Sequence, residues 1–498
     1  MKDIIKLLRD PKMLKRFILA LSFANLCFYN VMFTIFYKKF FYIKSFPTTN
    51  SYLALIISEI LLTLFFLFIW EIITRLKKPW VTKTAKAFLF IALIIILENA
   101  VKDIKVIDDK LFRTILLIAT ILLIIFKKTT KASVSFLMII APFVVIVFSQ
   151  ALLGAVTHWN RSDQPKPVQS FFTTNSSTSR VLWLIFDEMD YQVAFNERPQ
   201  GVKLPTFDRF RKQAIFAENA FAPSNKTAKS LPALIDGKLV SKATVSKEED
   251  LLITYQETGE TTKWGSQPNV FSRAKQLRFN TAFVGEYLPY SRLIGKDLSH
   301  CSWYPFYPEY ISSVDKLSAN IYSQLFYVLA GPAKNTIQRK RSFYNVFEDT
   351  KKLVVNPAYG LIMIHFPIPH GPHFHKSHWW ERSARGYLNS LELADETLNQ
   401  LWQILADKGL WDKTTVIISS DHWLRDHKKY FKYKNEDYRI PFMIKLAGRN
   451  ESISYQPTFN TVITQDLILA IFRKDVTSPE KVIKWLNQWK DSIKFSLP

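Results

Sequence analysis

Long apolar runs fill the first third of this 498-residue chain. Three of them are long enough to cross a bilayer as helices, which takes roughly 20 residues. They are Phe17–Tyr37, Tyr52–Ile73 and Ser133–Val156, and two shorter runs lie between them, Ala87–Val101 and Phe112–Phe126. One such run is also typical of a buried core helix, but five in succession predict a membrane domain over residues 1–156 with about five transmembrane helices. The two shorter runs could instead form one re-entrant pair.

Basic residues set the predicted orientation of these helices. The segment before the first run and the segments 75–86 and 127–131 together carry twice as many Lys and Arg residues as the other loops. Because basic loops stay on the cytoplasmic side, this bias places the N-terminus inside and, with an odd number of spans, residues 157–498 outside the cytoplasm. No small-residue cleavage site follows the first run, so this run is expected to be retained as a span.

The net charge and the cysteine content limit the classes of function that the chain can have. The formal net charge is +24, and the two cysteines are Cys27, in the first apolar run, and Cys301. A basic domain outside a membrane suits anionic lipids or phosphorylated glycans, although heavy lysine usage alone would explain the charge equally well. No nucleic-acid-binding module is recognisable, so no nucleic-acid partner is expected. No disulfide is expected within residues 157–498, and the core of that part has to supply its stability.

The rest of the chain has the pattern of an α/β domain. Residues 157–180 are rich in Pro, Ser, Thr and Asn, which predicts a linker. Over residues 181–498, short apolar strands alternate with amphipathic helices, as in a mixed sheet that helices cover on both faces. The clearest segments are the strands Val181–Phe186, Gly360–His365, Thr414–Ser420 and Ile440–Lys445 and the helix Gly386–Lys408.

Three of the predicted strands end in side chains that carry chemistry. The first ends at Asp187 and Glu188, the second at His365, and the third at Asp421 and His422. Ligands of open α/β sheets bind at the carboxyl ends of the strands, so these groups are expected to converge. Carboxylate oxygen and imidazole nitrogen are common metal ligands. Each group has an ordinary alternative role, as a helix N-cap or a surface carboxylate, and Asp187 could be either a ligand or a structural acceptor.

A threonine in the segment NKTAKSLPALIDGK is the candidate nucleophile. Thr227 has no general base beside it in the sequence, and a free threonine hydroxyl is a weak nucleophile. Coordination to a divalent metal would lower the pKa of the hydroxyl and supply the alkoxide. Thr227 could instead cap the helix that begins near Ser230, and Ser224 and Ser230 are competing hydroxyls.

Histidines cluster in the segment HFPIPHGPHFHKSH. It holds five of the nine histidines of the chain: His365, His370, His373, His375 and His378. The clustering favours contacts with a phosphoryl group or with a second metal ion. The alternative is a His-rich loop whose side chains have no common role.

The spacing around Thr227 resembles that of the sulfatase and alkaline-phosphatase superfamily. In sulfatases a Cys or Ser that is converted to formylglycine stands ten residues before a glycine, and Thr227 stands ten residues before Gly237, with Leu234 on the leucine of that pattern. Threonine is not a substrate for this conversion, which argues against sulfatase activity as such. A Thr followed by Ser-Leu-Pro instead resembles the membrane-bound phosphoethanolamine transferases, and Lys-Thr resembles the lipoteichoic acid synthases.

Further motifs of the phosphoethanolamine transferases are matched downstream. His365 precedes the His-Gly-Pro that begins at His370 by five residues, a Ser-Asp-His ends at His422, and His427 precedes an Ile-Pro as a later family histidine precedes a Val-Pro. The five-span anchor with an outward catalytic domain matches as well. The resemblance covers most of the predicted α/β domain and the architecture of the N-terminal part.

The resemblance implies a divalent metal and a set of residues around a phosphoryl group. The metal would be zinc, with manganese or magnesium as alternatives, and its ligands would be Glu188, Thr227, Asp421 and His422, with Asp187 open as a further ligand. The phosphoryl group or a second ion would be contacted by His365, His370 and His427. Of the two adjacent carboxylates, the sequence favours Glu188 over Asp187.

The implied activity is that of a metal-dependent phosphotransferase in a bacterial cytoplasmic (inner) membrane, with the catalytic domain on the periplasmic or extracellular side. It would move a phosphoethanolamine or phosphoglycerol type group from a phospholipid donor to an envelope glycan or lipid acceptor, through a phosphothreonine intermediate on Thr227. The alternative is a sulfatase-like hydrolase, either a phosphodiesterase or a sulfuric ester hydrolase, that acts on envelope glycans. A third hypothesis, a catalytically silent membrane scaffold, is opposed by the complete ligand set.

The sequence departs from the transferases in three places. Their usual Asp-His-Gly-Glu is Asp-His-Trp-Leu from Asp421 onward, and their typical disulfides are missing. Asp187-Glu188 stands between the Asp-Asp of sulfatases and the Gly-Glu of the transferases. These departures bear on the identity of the donor and the acceptor.

Overall fold

The protein is described by a computed structural model that covers residues 10–36, 46–104, 109–125, 128–157, 179–246, 250–306, 316–330, 333–376, 383–431, 433 and 437–492. The chain forms two compact units, an N-terminal helical unit and a larger α/β unit. Most of the predicted linker, residues 158–178, lies outside the described residues. The sequence assigns all of 181–498 to one domain, whereas the structure groups the helix Leu317–Ala330 with the N-terminal helices.

The helical unit is built from the apolar runs of the first third of the chain. Its N-terminal helices are α1 (Pro11–Cys27), α2 (Tyr29–Phe36), α3 (Thr49–Arg75), α4 (Pro79–Ile104), α5 (Asp109–Ile125) and α6 (Thr129–Thr157). α1 packs against α3 and α6, and α3 packs against α6, so these three helices form its core.

Several of the N-terminal helices are able to span a membrane. Within the described residues, three are long and apolar enough, and they lie in α3, α4 and α6. The pair α1 and α2 passes the same test together but is bent by 58°, so the number is four if this pair is one span. The run Phe112–Phe126 forms α5, which has 17 residues. Its described part is shorter than the roughly 20 residues of a span, so the described residues hold three or four candidate spans beside the about five that the sequence predicts.

The α/β unit contains the described strands, which are numbered along the chain. They are β1 (Val181–Asp187), β2 (Ile215–Ala217), β3 (Ala220–Phe221), β4 (Val240–Val245), β5 (Leu251–Tyr255), β6 (Thr261–Lys263), β7 (Asn280–Tyr287), β8 (His300–Pro305), β9 (Tyr359–Pro369), β10 (Thr415–Ser420), β11 (Phe442–Lys445), β12 (Ile453–Tyr455) and β13 (Phe459–Asn460).

The later α-helices continue the numbering. They are α7 (Pro205–Arg211), α8 (Thr227–Asp236), α9 (Val270–Gln276), α10 (Tyr290–Leu293), α11 (Leu317–Ala330), α12 (Lys334–Val354), α13 (Ala384–Asp407), α14 (His427–Tyr430), α15 (Thr464–Phe472) and α16 (Pro479–Trp489). Of these, α11 belongs to the helical unit and the others to the α/β unit.

An eight-stranded mixed sheet is the centre of the α/β unit. Its strand order is β12-β2-β11-β10-β1-β9-β7-β8, and β11 is antiparallel to both of its neighbours while the other pairs are parallel. All seven residues of β1 are buried, as expected for a central strand with both faces covered. This agrees with the mixed α/β sheet that the sequence predicts.

Helices pack on both faces of this sheet. On one face, Ala282 and Val284 of β7 share a core with Val346 of α12. On the other face, the ring of Phe283 packs edge-on against Phe271 of α9, with the centroids 6.1 Å apart. The alternation of β7 side chains between two apolar layers is the periodicity of a covered strand.

Candidate active site

The carboxyl ends of three neighbouring strands build the candidate active site. β1 lies between β9 and β10, and the register places Ile185 of β1 beside His365 of β9 and Ser419 of β10. Asp187 ends β1, and Asp421 follows β10 directly. The sheet therefore brings together side chains that lie far apart in the sequence.

Asp187, His365 and Asp421 form a buried cluster. Each offers one ligand atom, and these atoms all lie within 4.8 Å of one another. His422 borders the cluster, because its Nε2 is 3.4 Å from Asp187 Oδ1 and 3.6 Å from Asp421 Oδ2. Within the described part of the chain, Asp187 Oδ1, Asp421 Oδ2 and His365 Nε2 have no hydrogen-bond partner.

Three buried polar atoms without partners around one point fit a divalent cation. Buried carboxylates are costly unless a positive charge or hydrogen bonds compensate them. Carboxylates together with imidazoles are also a donor set that zinc and similar divalent ions accept. The residues present therefore fit the metal that the motif resemblance implies.

Backbone carbonyls orient both imidazoles for this role. His365 Nδ1 lies 3.1 Å from the carbonyl of Glu286, and His422 Nδ1 lies 2.9 Å from the carbonyl of Trp423. A carbonyl only accepts, so each Nδ1 carries the proton and each Nε2 is left with a lone pair. Both Nε2 atoms are those that neighbour the carboxylates, which is the arrangement of metal-ligating histidines.

The electrostatics of the cluster favour ionised carboxylates. Burial opposes ionisation of Asp187, but the surrounding imidazoles, led by that of His370, and the Arg339 guanidinium outweigh it and lower the pKa of the carboxyl to about 2. Although burial also opposes protonation of His422, the Asp421 and Asp187 carboxylates raise the pKa of its imidazole. Both directions correspond to carboxylates that are ionised in the pocket, as metal ligation requires.

Thr227 is adjacent to this pocket. It is the first residue of α8, it is buried, and its Oγ1 lies 3.3 Å from His422 Nε2. The N-cap of α8 is Lys226, so Thr227 does not cap the helix. Ser230 Oγ donates to the carbonyl of Ser224 at 2.9 Å, so its hydroxyl has a structural role.

The ten-residue spacing from Thr227 to Gly237 equals the length of one helix. α8 ends at Asp236, and Gly237 follows as a C-cap with a φ of 71°, where its N–H donates to Ala233 O at 2.8 Å. Glycine is favoured at such a left-handed cap. A Cβ there would also lie 2.3 Å from the Gln465 side chain, so space as well as backbone conformation selects glycine.

Glu188 lies next to the cluster and is held by an arginine. Its φ is 67°, a left-handed conformation that is uncommon outside glycine, and its N–H donates to Asp421 Oδ1 at 3.2 Å. Its Oε1 accepts from the backbone N–H and the Nε of Arg425, at 3.2 and 3.1 Å. Of the acidic pair, Asp187 is the member that belongs to the converging cluster, and Glu188, which the sequence favours as a ligand, lies beside it.

His370 also faces this side of the site. Its Nε2 accepts from Arg425 Nη2 at 2.7 Å and lies 3.8 Å from Glu188 Oε2. Its Nδ1 lies 2.6 Å from the carbonyl of Gly371 and 3.1 Å from Arg339 Nη2. His370 and Arg425 thus form a basic pair beside the cluster.

A buried arginine lies close to Asp187 and was not predicted from the sequence. Arg339 of α12 pairs with Glu286 of β7, and its Nη1 lies 4.0 Å from Asp187 Oδ2. Nothing in the basic stretch around Arg339 marks it as the buried member. Arg425 was missed too, although its place three residues after His422 was a usable signal, since loops after strand ends carry function.

The other predicted histidines do not join the cluster. His427 lies against Asp190, with 3.8 Å between Nε2 and Oδ1. His373 Nδ1 is 3.2 Å from Ser390 Oγ of α13, and His375 is 3.7 Å from Glu396 Oε2 of the same helix. His378 lies outside the described residues. The histidine-rich segment therefore divides into His365 and His370 at the site and two residues against α13.

A family model described as Sulfatase matches residues 179–469, which is more than half of the chain. The chain belongs to the sulfatase family. The sulfatase match begins just before β1 and ends within α15, so it includes the whole cluster and Thr227. The protein is accordingly a sulfatase-family enzyme by fold and by family model, of a superfamily whose members depend on divalent metals.

Individual sulfatase relatives match more weakly. The multifunctional alkaline phosphatase superfamily protein PehA of Trinickia caryophylli is 36% identical over 87 residues, which are 14% of this chain and 17% of that protein. The chain thus matches about a sixth of the length of this curated relative.

Two solved structures resemble the chain at low identity. Ps i-CgsB, in complex with k-i-k-neocarrahexaose, has a TM-score of 0.44 and 11% identity, and the match covers 62% of this chain and 74% of that one. The phosphonate monoester hydrolase of Agrobacterium radiobacter has a TM-score of 0.41 and 14% identity, over 59% and 74%.

Proposed function

We propose that this sulfatase-family enzyme is a membrane-bound phosphotransferase. It would take a phosphoethanolamine or phosphoglycerol type group from a phospholipid and pass it to a glycan or lipid acceptor of the cell envelope, through a phosphothreonine intermediate. The observation that carries the proposal is the position of Thr227, whose Oγ1 lies 3.3 Å from His422 Nε2 at the edge of the cation pocket. A threonine at this position can become a nucleophile only by activation of its own hydroxyl.

The side chains that would hold the metal are the three of the converging cluster together with the imidazole that borders it. They are Asp187, Asp421, His365 and His422, with the Thr227 hydroxyl next to them. When bound, a divalent metal lowers the pKa of a nearby hydroxyl and withdraws negative charge from phosphoryl oxygens. Zinc suits the mixed carboxylate and imidazole donors, and manganese and magnesium, which favour carboxylates, are the alternatives.

Thr227 would carry the transferred group between two displacement steps. In the first step a phosphorus–Oγ1 bond forms and the bond from phosphorus to the diacylglycerol oxygen breaks. The Oγ1 proton passes to solvent, and the diacylglycerol oxygen takes up one in exchange. In the second step an acceptor hydroxyl oxygen attacks phosphorus and loses its proton, and Oγ1 leaves and is reprotonated.

Arg425 and His370 would position the phosphoryl oxygens. The Arg425 side chain is partly exposed, in contrast to the buried cluster, and its guanidinium reaches both Glu188 and His370. Guanidinium groups match the geometry of phosphate oxygens and bind them in pairs. The resemblance assigns His370 to this role, and the structure adds Arg425 beside it.

The test is covalent trapping on the full chain in a bilayer. The purified protein is incubated with phosphatidylethanolamine or phosphatidylglycerol without an acceptor, and the peptide that contains Thr227 is examined by mass spectrometry. The proposal predicts a mass increase equal to the phosphorylated head group on Thr227. Ser230→Ala serves as the matched control, because it removes a neighbouring hydroxyl of the same helix and should keep the adduct, whereas Thr227→Ala should lose it.

Hydrolysis is a second candidate, which the match to the sulfatase family itself favours. The cation pocket and Thr227 would act in the same way, and water would replace the acceptor hydroxyl. The amount of diacylglycerol released without an acceptor distinguishes the transferase from the hydrolase. A transferase should stop near one equivalent per enzyme, whereas a phosphodiesterase should continue, and turnover of an aryl sulfate instead would identify a sulfuric ester hydrolase.

We also propose that the α/β unit lies on the outer face of a bacterial cytoplasmic membrane. The support is the excess of basic residues in the loops expected inside, together with three or four helices that could span a membrane. A reporter fused after residue 498 tests it. Periplasmic alkaline phosphatase should be active at this position, and activity of a cytoplasmic reporter there would contradict the proposal.

A further inference from the structure

The polar and apolar side chains of α11 are arranged opposite to those of a helix in water. The helix, LSANIYSQLFYVLA, has no charged residue. Its two amide side chains, Asn320 and Gln324, are completely buried, while Tyr322 is 69% and Leu329 is 71% exposed. A water-soluble protein usually leaves amides at its surface, so two buried amides on a helix that exposes large apolar side chains are unusual.

The buried amides of α11 are bonded to the first turn of α3. Ser51 Oγ donates to Asn320 Oδ1 at 3.2 Å, and Gln324 Nε2 donates to the carbonyl of Ser51 at 2.9 Å. Tyr327 packs in the same apolar core as Tyr52 of α3. Polar contacts inside and apolar contacts outside are how helices associate in a bilayer, where apolar surface is not expelled by the solvent.

α3, the helix that α11 contacts, has the same inverted pattern. Ser58 and Thr63 of α3 are completely buried, while Leu64 is 51% and Phe68 is 64% exposed. α3 is one of the helices that are long and apolar enough to cross a membrane. The exposed face of α11 is therefore continuous in chemistry with a face that lipid is expected to cover.

α11 lies at one particular end of the helical bundle. Thr49 Oγ1 donates to the carbonyl of Ala155 at 2.8 Å, so the start of α3 and the end of α6 are neighbours, and α11 joins them through Ser51. Its 14 residues correspond to about 21 Å, which is too short to cross a bilayer core of roughly 30 Å. Tyr322 stacks on Phe326, and such aromatic side chains are enriched at membrane interfaces.

We propose that α11 is an interfacial helix whose outer face, formed by Tyr322 and Leu329, contacts the lipid bilayer. Because α11 stands between β8 and α12 in the sequence, it would give the α/β unit a second attachment to the membrane, in addition to the one through α6. The inference rests on the helical unit spanning a bilayer and does not depend on the reaction that the enzyme performs.

Site-specific quenching in a bilayer tests this proposal. Full-length variants Tyr322→Cys and Leu329→Cys, with Cys27 and Cys301 replaced by alanine, are labelled with an environment-sensitive fluorophore and placed in phosphatidylcholine nanodiscs. Phe68→Cys is the lipid-facing control, and Trp489→Cys is the water-facing control, since Trp489 is 41% exposed on α16. One quencher is a nitroxide on the lipid acyl chains and the other is aqueous iodide.

The proposal predicts that labels at 322 and 329 follow the lipid-facing control. The acyl nitroxide should quench them about as strongly as the label at 68, and iodide should quench them far less than the label at 489. Quenching by iodide alone would place this face in water and overturn the proposal. Protection from both quenchers would also overturn it, because a second copy of the chain or another protein surface would then cover α11.

Photolabelling of the unsubstituted protein tests the same proposal without cysteine variants, which could misfold. A phosphatidylcholine with a diazirine in its acyl chain is activated in the same nanodiscs, and the labelled residues are identified by mass spectrometry. Adducts are expected on α11 and around Phe68 but not on α16. Adducts around Phe68 with none on α11 would contradict the interfacial position of α11. Adducts at neither place would overturn the proposal too, because the helical unit would then not lie in the bilayer.

Discussion

The helical unit and the α/β unit bury polar side chains for different reasons. In the helical unit, Glu59 of α3 is completely buried, and its Oε2 accepts from Asn25 Nδ2 of α1 at 3.0 Å. In the α/β unit, Asp187, Asp421 and His365 are buried too, but the unpartnered atoms of these three side chains converge on one place, whereas the unpartnered Oε1 of Glu59 belongs to no such cluster among the described residues. The hydrogen bond between Asn25 and Glu59 joins two helices. The converging atoms of the α/β unit instead form a site that a ligand can occupy.

The largest effect is expected from the acidic cluster. Asp421→Asn removes a charge from the cation pocket, so the bound metal should be lost and turnover should fall by roughly a thousandfold or more. Metal content by plasma mass spectrometry and release of diacylglycerol measure the two effects. Asp475→Asn, a surface substitution on the same unit, is the matched control. Full metal content in Asp421→Asn would mean that the pocket is not the metal site.

Arg339 tests whether buried charges of the α/β unit also stabilise the fold. Arg339→Met leaves Glu286 buried without its cation, which should cost about 3–5 kcal/mol of unfolding free energy. The double variant with Glu286→Gln should recover much of this loss, because the unpaired charge is gone. Chemical denaturation measures both. A single variant as stable as the parent would show that the pair contributes nothing to the fold.

Arg425 should affect the reaction without affecting the metal. Arg425→Ala removes a guanidinium beside Glu188 and His370, and kcat/KM should fall about 10- to 100-fold, the usual value of a charged hydrogen bond. The metal content should stay unchanged, and Arg425→Lys should restore part of the activity. Lys428→Ala, which removes the same charge from the neighbouring helix, is the control. A loss of metal in Arg425→Ala would move this residue from substrate positioning to site assembly.

The smallest effects are expected in the helical unit. Asn25→Leu leaves Glu59 without its interhelical donor and should cost about 1 kcal/mol. Glu59→Gln keeps an oxygen that can accept from Asn25, so both stability and turnover should remain near those of the parent. Thermal unfolding in nanodiscs measures the stability of both variants, and diacylglycerol release measures their turnover. A strong loss of turnover in Glu59→Gln would break the comparison, since the helical unit would then share in the chemistry.

The sequence predicted the parts that follow from strand ends and from local spacing. β1 and β10 were visible as apolar runs that end in Asp187 and Asp421, and the ten residues from Thr227 to Gly237 proved to be one helix with a glycine cap. The mixed α/β sheet and the sulfatase family were predicted correctly. These features depend on interactions that are close in the sequence or on rules that hold for every open sheet.

Features that depend on tertiary packing could not be predicted from the sequence. The position of Glu188 beside the cluster depends on its left-handed backbone and on its hydrogen bond with Arg425, neither of which has a local signal in the sequence. The same holds for Arg339, one of several basic residues on α12. The grouping of α11 with the first helices is also invisible locally, because its partner is Ser51, far away in the chain.

The central claim is that Thr227 is the nucleophile beside a metal pocket, and one measurement tests it most directly. Mass spectrometry of the full chain after incubation with a phospholipid donor, without an acceptor, should find the phosphorylated head group on Thr227 in the parent and in Ser230→Ala. Thr227→Ala should keep its metal and carry no adduct. An adduct at another residue, or full turnover by Thr227→Ala, would contradict the claim.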